Sequence, residues 1–315
     1  PTLEIAADGL STEAIKETHT ARMRFLAARV WGHLYAADNG AKRPWAAWLL
    51  SNASVGTAPW LAWRGNFSRE LQALPHGLMH HLLRLRLAIP MTDFDPDVLN
   101  TAQCGCTAAA TLSTEPLHML QCLSNSAIKK ERHDNVARAI VAGLRAASAR
   151  DRSGVTFFDG QGSCNVPFPS SSLFADFMSE ARGRTTYYDV TIVNPATQRM
   201  VRVLHTAEQR DSAVADAVRR KRDKYRAAIA AVTSDADTQT ALLAQLHFLV
   251  FETSGRAGAD TQQLLDTLLR QKTRECRACY QAISMQIAHA NARTAASTLT
   301  SLRGHLHSSI GQPLH

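Results

Sequence analysis

Two acidic residues lie inside the most apolar part of this chain, and they restrict what it can fold into. Residues 173–178 and 185–193 are predicted to form two strands, joined by a charged turn that contains Gly183. Asp176 lies in the first strand and Asp189 in the second. Burying a lone carboxylate costs several kcal/mol unless it is paired or binds a cation. The two acids therefore predict one shared hard cation, Mg²⁺ or Mn²⁺.

A basic helix is predicted downstream, over residues 207–231. Phosphodiester hydrolysis needs positive charge beside its metal-binding acids, and Lys221, Lys224 and Tyr225 share one face of this helix. Either feature alone is ambiguous, because a strand Asp is often an edge residue and a Lys/Arg run is usually a solvated helix face. Four arginines of the helix are candidate phosphate contacts: Arg219, Arg220, Arg222 and Arg226.

A second candidate metal site lies upstream of the acids, in the predicted zinc segment 100–128. Three cysteines and one histidine occur there within nineteen residues: Cys104, Cys106, His118 and Cys122. Three thiolates and one imidazole are the ligand set of a closed structural zinc site. The alternative is a set of unrelated cysteines beside a polar histidine. The zinc site is favoured because the first two cysteines lie beside a polar turn rather than in an apolar run.

Composition narrows the class of protein further. The formal net charge of +8 favours an anionic partner. The six cysteines do not resemble a secreted disulfide framework in a chain of 315 residues, which favours an intracellular compartment. Cys276 and Cys279 lie in a predicted helix and are interpreted as helix-face cysteines rather than metal ligands. No apolar run is long enough to predict a membrane span.

The order of predicted elements indicates an α/β core. From residue 135 onward it is helix, strand, strand, strand, helix, strand, helix, which predicts a small mixed sheet flanked by helices. Residues 1–99 are predicted to be helical. Because the chain begins with Pro1, we expect it to be a portion of a longer polypeptide.

At this point the sequence resembles a known family. The order Cys-x-Cys, His-x3-Cys, Arg-His-Asp at 132–134, two strand acids and Lys-x-x-Lys-Tyr resembles the C-terminal region of site-specific non-LTR retrotransposon polyproteins. That region combines a zinc knuckle with a restriction-like endonuclease of the PD-(D/E)xK fold. The resemblance covers about residues 100–290. It implies a linker over 1–99, behind a reverse transcriptase that this chain lacks, and a nuclease domain over 129–303.

The resemblance also implies roles for individual residues. Asp176 and Asp189 would bind the catalytic divalent ion, and Lys221 or Lys224 would assist. It further implies that Arg132 and His133 contact DNA, although Asp134 is expected to be the N-cap of the following helix.

Three features depart from the family pattern. Ala175 replaces the proline that precedes the first acid, the first cysteine pair is tightly spaced, and Thr191 stands two residues after Asp189, where related nucleases have lysine. The last departure is shared by the family, whose lysine lies on the following helix.

The function expected from the sequence is that of a divalent-metal-dependent DNA endonuclease. It would nick target DNA in the nucleus and leave a 3′-hydroxyl for a reverse transcriptase elsewhere in the polypeptide, with element RNA as a further partner. The alternative is a catalytically inactive, zinc-containing module that binds nucleic acid.

Overall fold

The computed structural model describes the C-terminal two thirds of the chain and isolated residues before it. The described residues are 47–48, 106, 117–120, 122, 125–160, 165–169, 171–204, 206, 209, 211–271 and 273–310, with the side chains at 198, 202 and 302–310 excepted. The predicted helical region 1–99 therefore lies outside the described residues, apart from two positions, and Cys104 also lies outside them.

A four-stranded mixed sheet and a separate two-stranded ribbon form the β-structure. The strands are, in chain order, β1 (Thr156–Phe158), β2 (Val166–Pro167), β3 (Phe174–Ala175), β4 (Phe177–Ala181), β5 (Arg184–Val193) and β6 (Leu246–Glu252). The sheet order is β1-β4-β5-β6, and β2 pairs with β3 in the ribbon. The first two pairings of the sheet are antiparallel, whereas β5 and β6 are parallel. A parallel pair requires a crossover connection, and helices provide it here.

Within the part of the chain that the structure describes, six α-helices flank the sheet. They are α1 (Ser126–Asp151), α2 (Gln198–Leu204), α3 (Ser212–Ala230), α4 (Ala236–Ala244), α5 (Ala259–Leu269) and α6 (Arg274–Ile310). The main core lies between the sheet and α1, α5 and α6. Helix α1 buries Val136, Ile140 and Leu144 at helical spacing against this core. The mixed α/β architecture predicted from the sequence is confirmed.

The period-two alternation of β5 divides the two faces of the sheet. Tyr188 and Val190 pack into the main core beside α1, whereas Tyr187 packs against Tyr225 of α3 on the opposite face. Asp189 follows Tyr187 by two residues, so it lies on the same face of the sheet and faces α3.

Several predicted boundaries are wrong. The first strand of the hairpin is β4, so Asp176 lies in the break between β3 and β4 rather than inside a strand. Helices α2 and α4 were not predicted. The last helix of the predicted order is two helices, α5 and α6. The chain turns at Arg270, which has a positive φ of 54°, and Thr273 caps α6 by accepting a hydrogen bond from the Cys276 N–H.

Helix α1 also differs from the prediction at its start. It begins at Ser126, so Asp134 lies inside the helix and is not its N-cap. Among the described helices, none is long and apolar enough to cross a membrane.

Candidate active site

The candidate active site lies just before the first residue of β4, where β5 continues past it. The last pair in the antiparallel ladder is Phe177 with Tyr188. Beyond it, the Asp176 N–H donates to the Tyr188 carbonyl at 2.9 Å, and Asp176 Oδ2 accepts a hydrogen bond from the Val190 N–H at 2.5 Å. The Asp176 side chain therefore extends the ladder in place of a strand backbone. This contact fixes the carboxylate of Asp176 beside residue 189.

Asp189 is buried on the α3 face and binds two side chains of that helix. Lys221 Nζ lies 2.8 Å from Oδ1 and 3.0 Å from Oδ2, and the Tyr225 hydroxyl lies 2.9 Å from Oδ2. The spacing of Lys221 and Tyr225, one helical turn apart, lets both reach the same carboxylate. Lys224, the other predicted lysine, is exposed and pairs with no acid among the described residues.

The Tyr225 hydroxyl also joins the site to the segment before Asp176. It lies 2.8 Å from the carbonyl oxygen of Phe174 as well as 2.9 Å from Asp189 Oδ2. A phenol has one hydrogen, which these two acceptors share. Tyr225 thereby links α3, β3 and β5 at one point, and this link positions the acids relative to Lys221.

Burial and like charge disfavour the ionised form of Asp189. Burial raises the pKa of Asp189, and the nearby negative charge of Asp176 raises it further, while Lys221 and Tyr225 act in the opposite direction. The pKa of Tyr225 is also raised, by burial and by the adjacent Asp189 carboxylate. A carboxylate whose pKa remains raised despite a lysine contact gains from an additional positive charge.

His133 of α1 reaches the acid pair from the other face of the sheet. Its Nε2 lies 3.0 Å from the Val190 carbonyl and 3.4 Å from Asp176 Oδ2, and its Nδ1 lies 3.1 Å from Asp134 Oδ1. Burial alone would lower the pKa of His133, but the hydrogen bond and charge of Asp176 outweigh it and raise the pKa to about 9. His133 thus presents a positive charge to Asp176.

The placement of Arg132 argues against the DNA contact expected for it. Arg132 is 5% exposed, and its guanidinium donates to Asn291 of α6 at 2.9 Å. Burial lowers its pKa to about 10. Arg132 therefore ties α1 to α6 inside the fold, whereas its neighbour His133 faces the acids. The DNA contact expected for His133 stays a prediction.

The four candidate phosphate contacts on α3 have different surroundings. Arg219 and Arg220 pair with the buried carboxylate of Asp216, as does Arg199 of α2. Arg226 pairs with Asp223 on the exposed face at 3.2 Å. Arg222 is exposed.

The predicted zinc ligands that the structure describes lie together. One potential ligand atom from each of Cys106, His118 and Cys122 falls within 4.8 Å of the others, and Cys106 Sγ lies 3.2 Å from His118 Nε2. Cys122 and His118 are buried. These three residues could hold a metal ion. The fourth predicted ligand, Cys104, lies outside the described residues.

The Cys-x-x-Cys pair lies in a helix, α6, as predicted, and is buried there. Cys276 and Cys279 pack into the main core, and burial raises the pKa of Cys279 to about 12. A thiol with so high a pKa stays protonated near neutral pH, and thiolate is the form that binds metals.

Sequence reasoning missed the part that His133 plays. The signal for Lys221 and Tyr225 was local, since they share a helix face. The contact between His133 and Asp176 joins residues 43 positions apart, and no local spacing indicates it.

A scan against protein-family models found no match, and a search of curated proteins found no significant match.

Proposed function

We propose that this chain is a divalent-metal-dependent DNA endonuclease that belongs to a retrotransposon polyprotein. The observation that carries the proposal is the meeting of Asp176, Asp189 and Lys221 at the start of β4. These residues come from three separate parts of the chain and were expected together from the sequence. A purely structural ion pair would need only one acid and one cation.

Asp176 and Asp189 would hold Mg²⁺ or Mn²⁺. Carboxylate oxygens are the ligands that these hard cations prefer, and waters commonly complete the shell. The raised pKa of Asp189 supports the fit, because a divalent cation stabilises the ionised carboxylate. Lys221 contacts both oxygens of Asp189 and Tyr225 contacts Oδ2, so Oδ1 keeps one lone pair that a cation could use. The bound ion would polarise the phosphate and lower the pKa of the attacking water.

The proposed reaction hydrolyses one phosphodiester bond in each strand. The water oxygen forms a bond to phosphorus, the bond from phosphorus to the 3′ oxygen breaks, and the 3′ oxygen gains a proton as the water loses one. Lys221 would stabilise the negative charge that develops on the phosphoryl oxygens. Tyr225 would hold Asp189 in place for this reaction. The resulting 3′-hydroxyl would prime a reverse transcriptase elsewhere in the polypeptide, in the nucleus.

The topology supports a restriction-like core. Helix α1 is followed by three strands of the sheet, then by the crossover helices and β6, which pairs in parallel with β5. This order agrees with the one predicted from the sequence pattern. Asp189 lies on β5 and the lysine on the crossover helix α3, as expected, whereas Asp176 lies just before β4 rather than inside a strand.

Cys106, His118 and Cys122 would bind a structural zinc ion, with Cys104 as the fourth ligand. The donor set suits zinc because thiolate and imidazole ligands dominate its closed sites. We expect about one zinc per chain in purified protein, and loss of that zinc in Cys122→Ser. Cys279→Ser is the matched control, because this cysteine is also buried but lies in the core. A wild type without zinc would contradict this assignment.

A plasmid-nicking assay tests the nuclease. We expect nicking that requires Mg²⁺ or Mn²⁺, and a loss of at least about a thousandfold in Asp176→Ala and Asp189→Asn, a scale that removal of one member of a catalytic unit commonly produces. Asp223→Asn is the control, because Asp223 is an exposed acid on the same helix as Lys221. Thermal melts would establish that each variant is folded. Retention of nicking by the Asp189 variant would overturn the proposed site.

One observation favours a second function, an inactive module that binds nucleic acid. Lys221 and Tyr225 occupy the oxygens of Asp189 as they would in a structural ion pair. Under this alternative the wild type binds DNA but does not nick it with either metal. The same assay therefore separates the two functions.

A further inference from the structure

A second buried aspartate, Asp216 of α3, collects an excess of positive charge. Its side chain is 2% exposed, and three guanidiniums converge on it. Arg219 donates to Oδ1, the Arg220 Nε lies 2.9 Å from Oδ2, and the Arg199 Nη1 lies 3.8 Å from Oδ2. We call Asp216 with Arg199, Arg219 and Arg220 the arginine cluster.

The charge of the arginine cluster is not balanced within the fold. One carboxylate neutralises one of three guanidiniums, which leaves a surplus of about two positive charges at a single point. Among the described residues, no second acid pairs with any of the three arginines. The net charge of the cluster is therefore positive, on side chains that reach the surface.

The arginines are also accessible to a ligand. Their side chains are 55%, 64% and 48% exposed at Arg199, Arg219 and Arg220, whereas the carboxylate beneath them is covered. Each guanidinium has five N–H donors, and the contacts with Asp216 use only a few of them. The buried carboxylate therefore orients the guanidiniums while leaving most of their donors directed elsewhere. A planar fork with free donors is the group that binds phosphate oxygens in a bidentate manner.

The arginine cluster lies close to the candidate active site along the same helix. Asp216 precedes Lys221 by five residues of α3, which corresponds to about 7.5 Å along the helix axis and about 140° around it. The arginine cluster and Lys221 therefore lie at neighbouring levels of α3 but on different sides of the helix.

We propose that the arginine cluster binds the phosphodiester backbone of target DNA, and that Asp216 is the positioning residue for its guanidiniums. The inference rests on the proposed function for the identity of the nucleic acid. It adds Arg199, from the neighbouring helix α2, to the predicted phosphate contacts. It also separates the arginine cluster from Arg226, which pairs with an exposed acid of its own.

The test measures how the affinity for duplex DNA depends on salt. The probe is a duplex of about 30 base pairs, long enough to cover several phosphate contacts, in buffer with Ca²⁺ in place of Mg²⁺, so that binding is measured without cleavage. The variants are Arg199→Gln, the double variant Arg219→Gln/Arg220→Gln, and Asp216→Asn. Arg184→Gln is the matched control, because Arg184 is an exposed arginine at the hairpin turn, at the opposite end of β5 from the cluster.

The slope of log K against log salt is negative, and each lost phosphate contact decreases its magnitude by about 0.9. We expect the magnitude to decrease by about 0.9 for Arg199→Gln and by about twice that for the double variant, with no change for Arg184→Gln. Asp216→Asn should weaken binding although it removes a negative charge, because the guanidiniums are then no longer held in a fixed orientation. Arg199→Gln leaves two arginines on Asp216, so a folding defect in the double variant does not decide the test.

The outcomes separate this inference from the proposed function. An unchanged slope in Arg199→Gln, or tighter binding by Asp216→Asn, would overturn the inference. Nicking by the wild type would still support the nuclease in that case. A wild type that does not bind the duplex would overturn the inference as well. Reduced slopes in a protein that never nicks DNA would support the inference and reject the nuclease.

Discussion

Two buried aspartates pair with basic side chains of the same helix, α3, and they differ in the number of cations around them. Asp189 receives one ammonium, from Lys221, and lies beside a second acid, Asp176. Asp216 has no second acid among its described partners and receives three guanidiniums. The first site has two negative charges on chelating oxygens, and the second has a surplus of positive charge on exposed donors.

The difference indicates opposite ligands for the two sites. The carboxylate oxygens of the acid pair are the ligands that a hard metal ion prefers. The guanidiniums of the arginine cluster are planar donors that match phosphate oxygens. One helix thus presents a candidate cation site and a candidate anion site about 7.5 Å apart along its axis, which suits a metal-dependent enzyme that acts on a phosphate chain.

Three variants test this comparison, and the largest effect among them distinguishes the two lysines of α3. Lys221→Met should reduce nicking by about a hundredfold or more, because it removes the charge that stabilises the developing phosphoryl charge. Lys224→Met is the matched control on the same helix and should leave the rate unchanged, since Lys224 is exposed and contacts no acid of the site. Equal losses in both variants, measured as initial nicking rates, would contradict the assignment of Lys221.

A smaller effect is expected on stability at the arginine cluster. Asp216→Asn should lower the free energy of unfolding by about 2 kcal/mol, because the buried side chain loses its charge-assisted hydrogen bond from Arg219. Asp223→Asn breaks only an exposed pair with Arg226 and should change it by less than about 1 kcal/mol. Urea unfolding would measure both values. An Asp216 variant as stable as the wild type would show that the carboxylate does not organise the cluster.

The smallest expected effect concerns pH and His133. Its pKa is raised from 6.5 to about 9, so its contact with Asp176 stabilises the fold fully below about pH 6.5 and is lost as pH rises through 9. In buffer without magnesium, the difference in melting temperature between wild type and His133→Gln should shrink from pH 6.5 to pH 9.5. A difference that stays constant with pH would contradict the charge assigned to His133.

The sequence predicted the sheet and its main helices because their signals were local. The apolar period of α1 and the alternation of β5 each specify an element and its buried face. Helices α2 and α4 are short, and the break at Arg270 depends on one left-handed residue that propensity does not indicate. The exact place of Asp176 was missed because the neighbouring apolar residues read as one continuous strand.

The candidate site was predictable in part for the same reason. Lys221 and Tyr225 share a helix face, so their common partner could be expected. The contact of His133 with Asp176 and the convergence of Arg199 on Asp216 depend on how distant elements pack. The fold also decided which lysine meets Asp189, since spacing alone gave Lys221 and Lys224 equal standing.

Binding of Mn²⁺ to zinc-loaded protein, followed by electron paramagnetic resonance, tests the central claim most directly. The wild type should bind about one Mn²⁺ per chain at the acid pair, because Mn²⁺ prefers the same oxygen ligands as Mg²⁺. Asp189→Asn should lose this ion, and Asp223→Asn should retain it. Equal Mn²⁺ affinity in the wild type and in Asp189→Asn would contradict the account of the acid pair as a metal site.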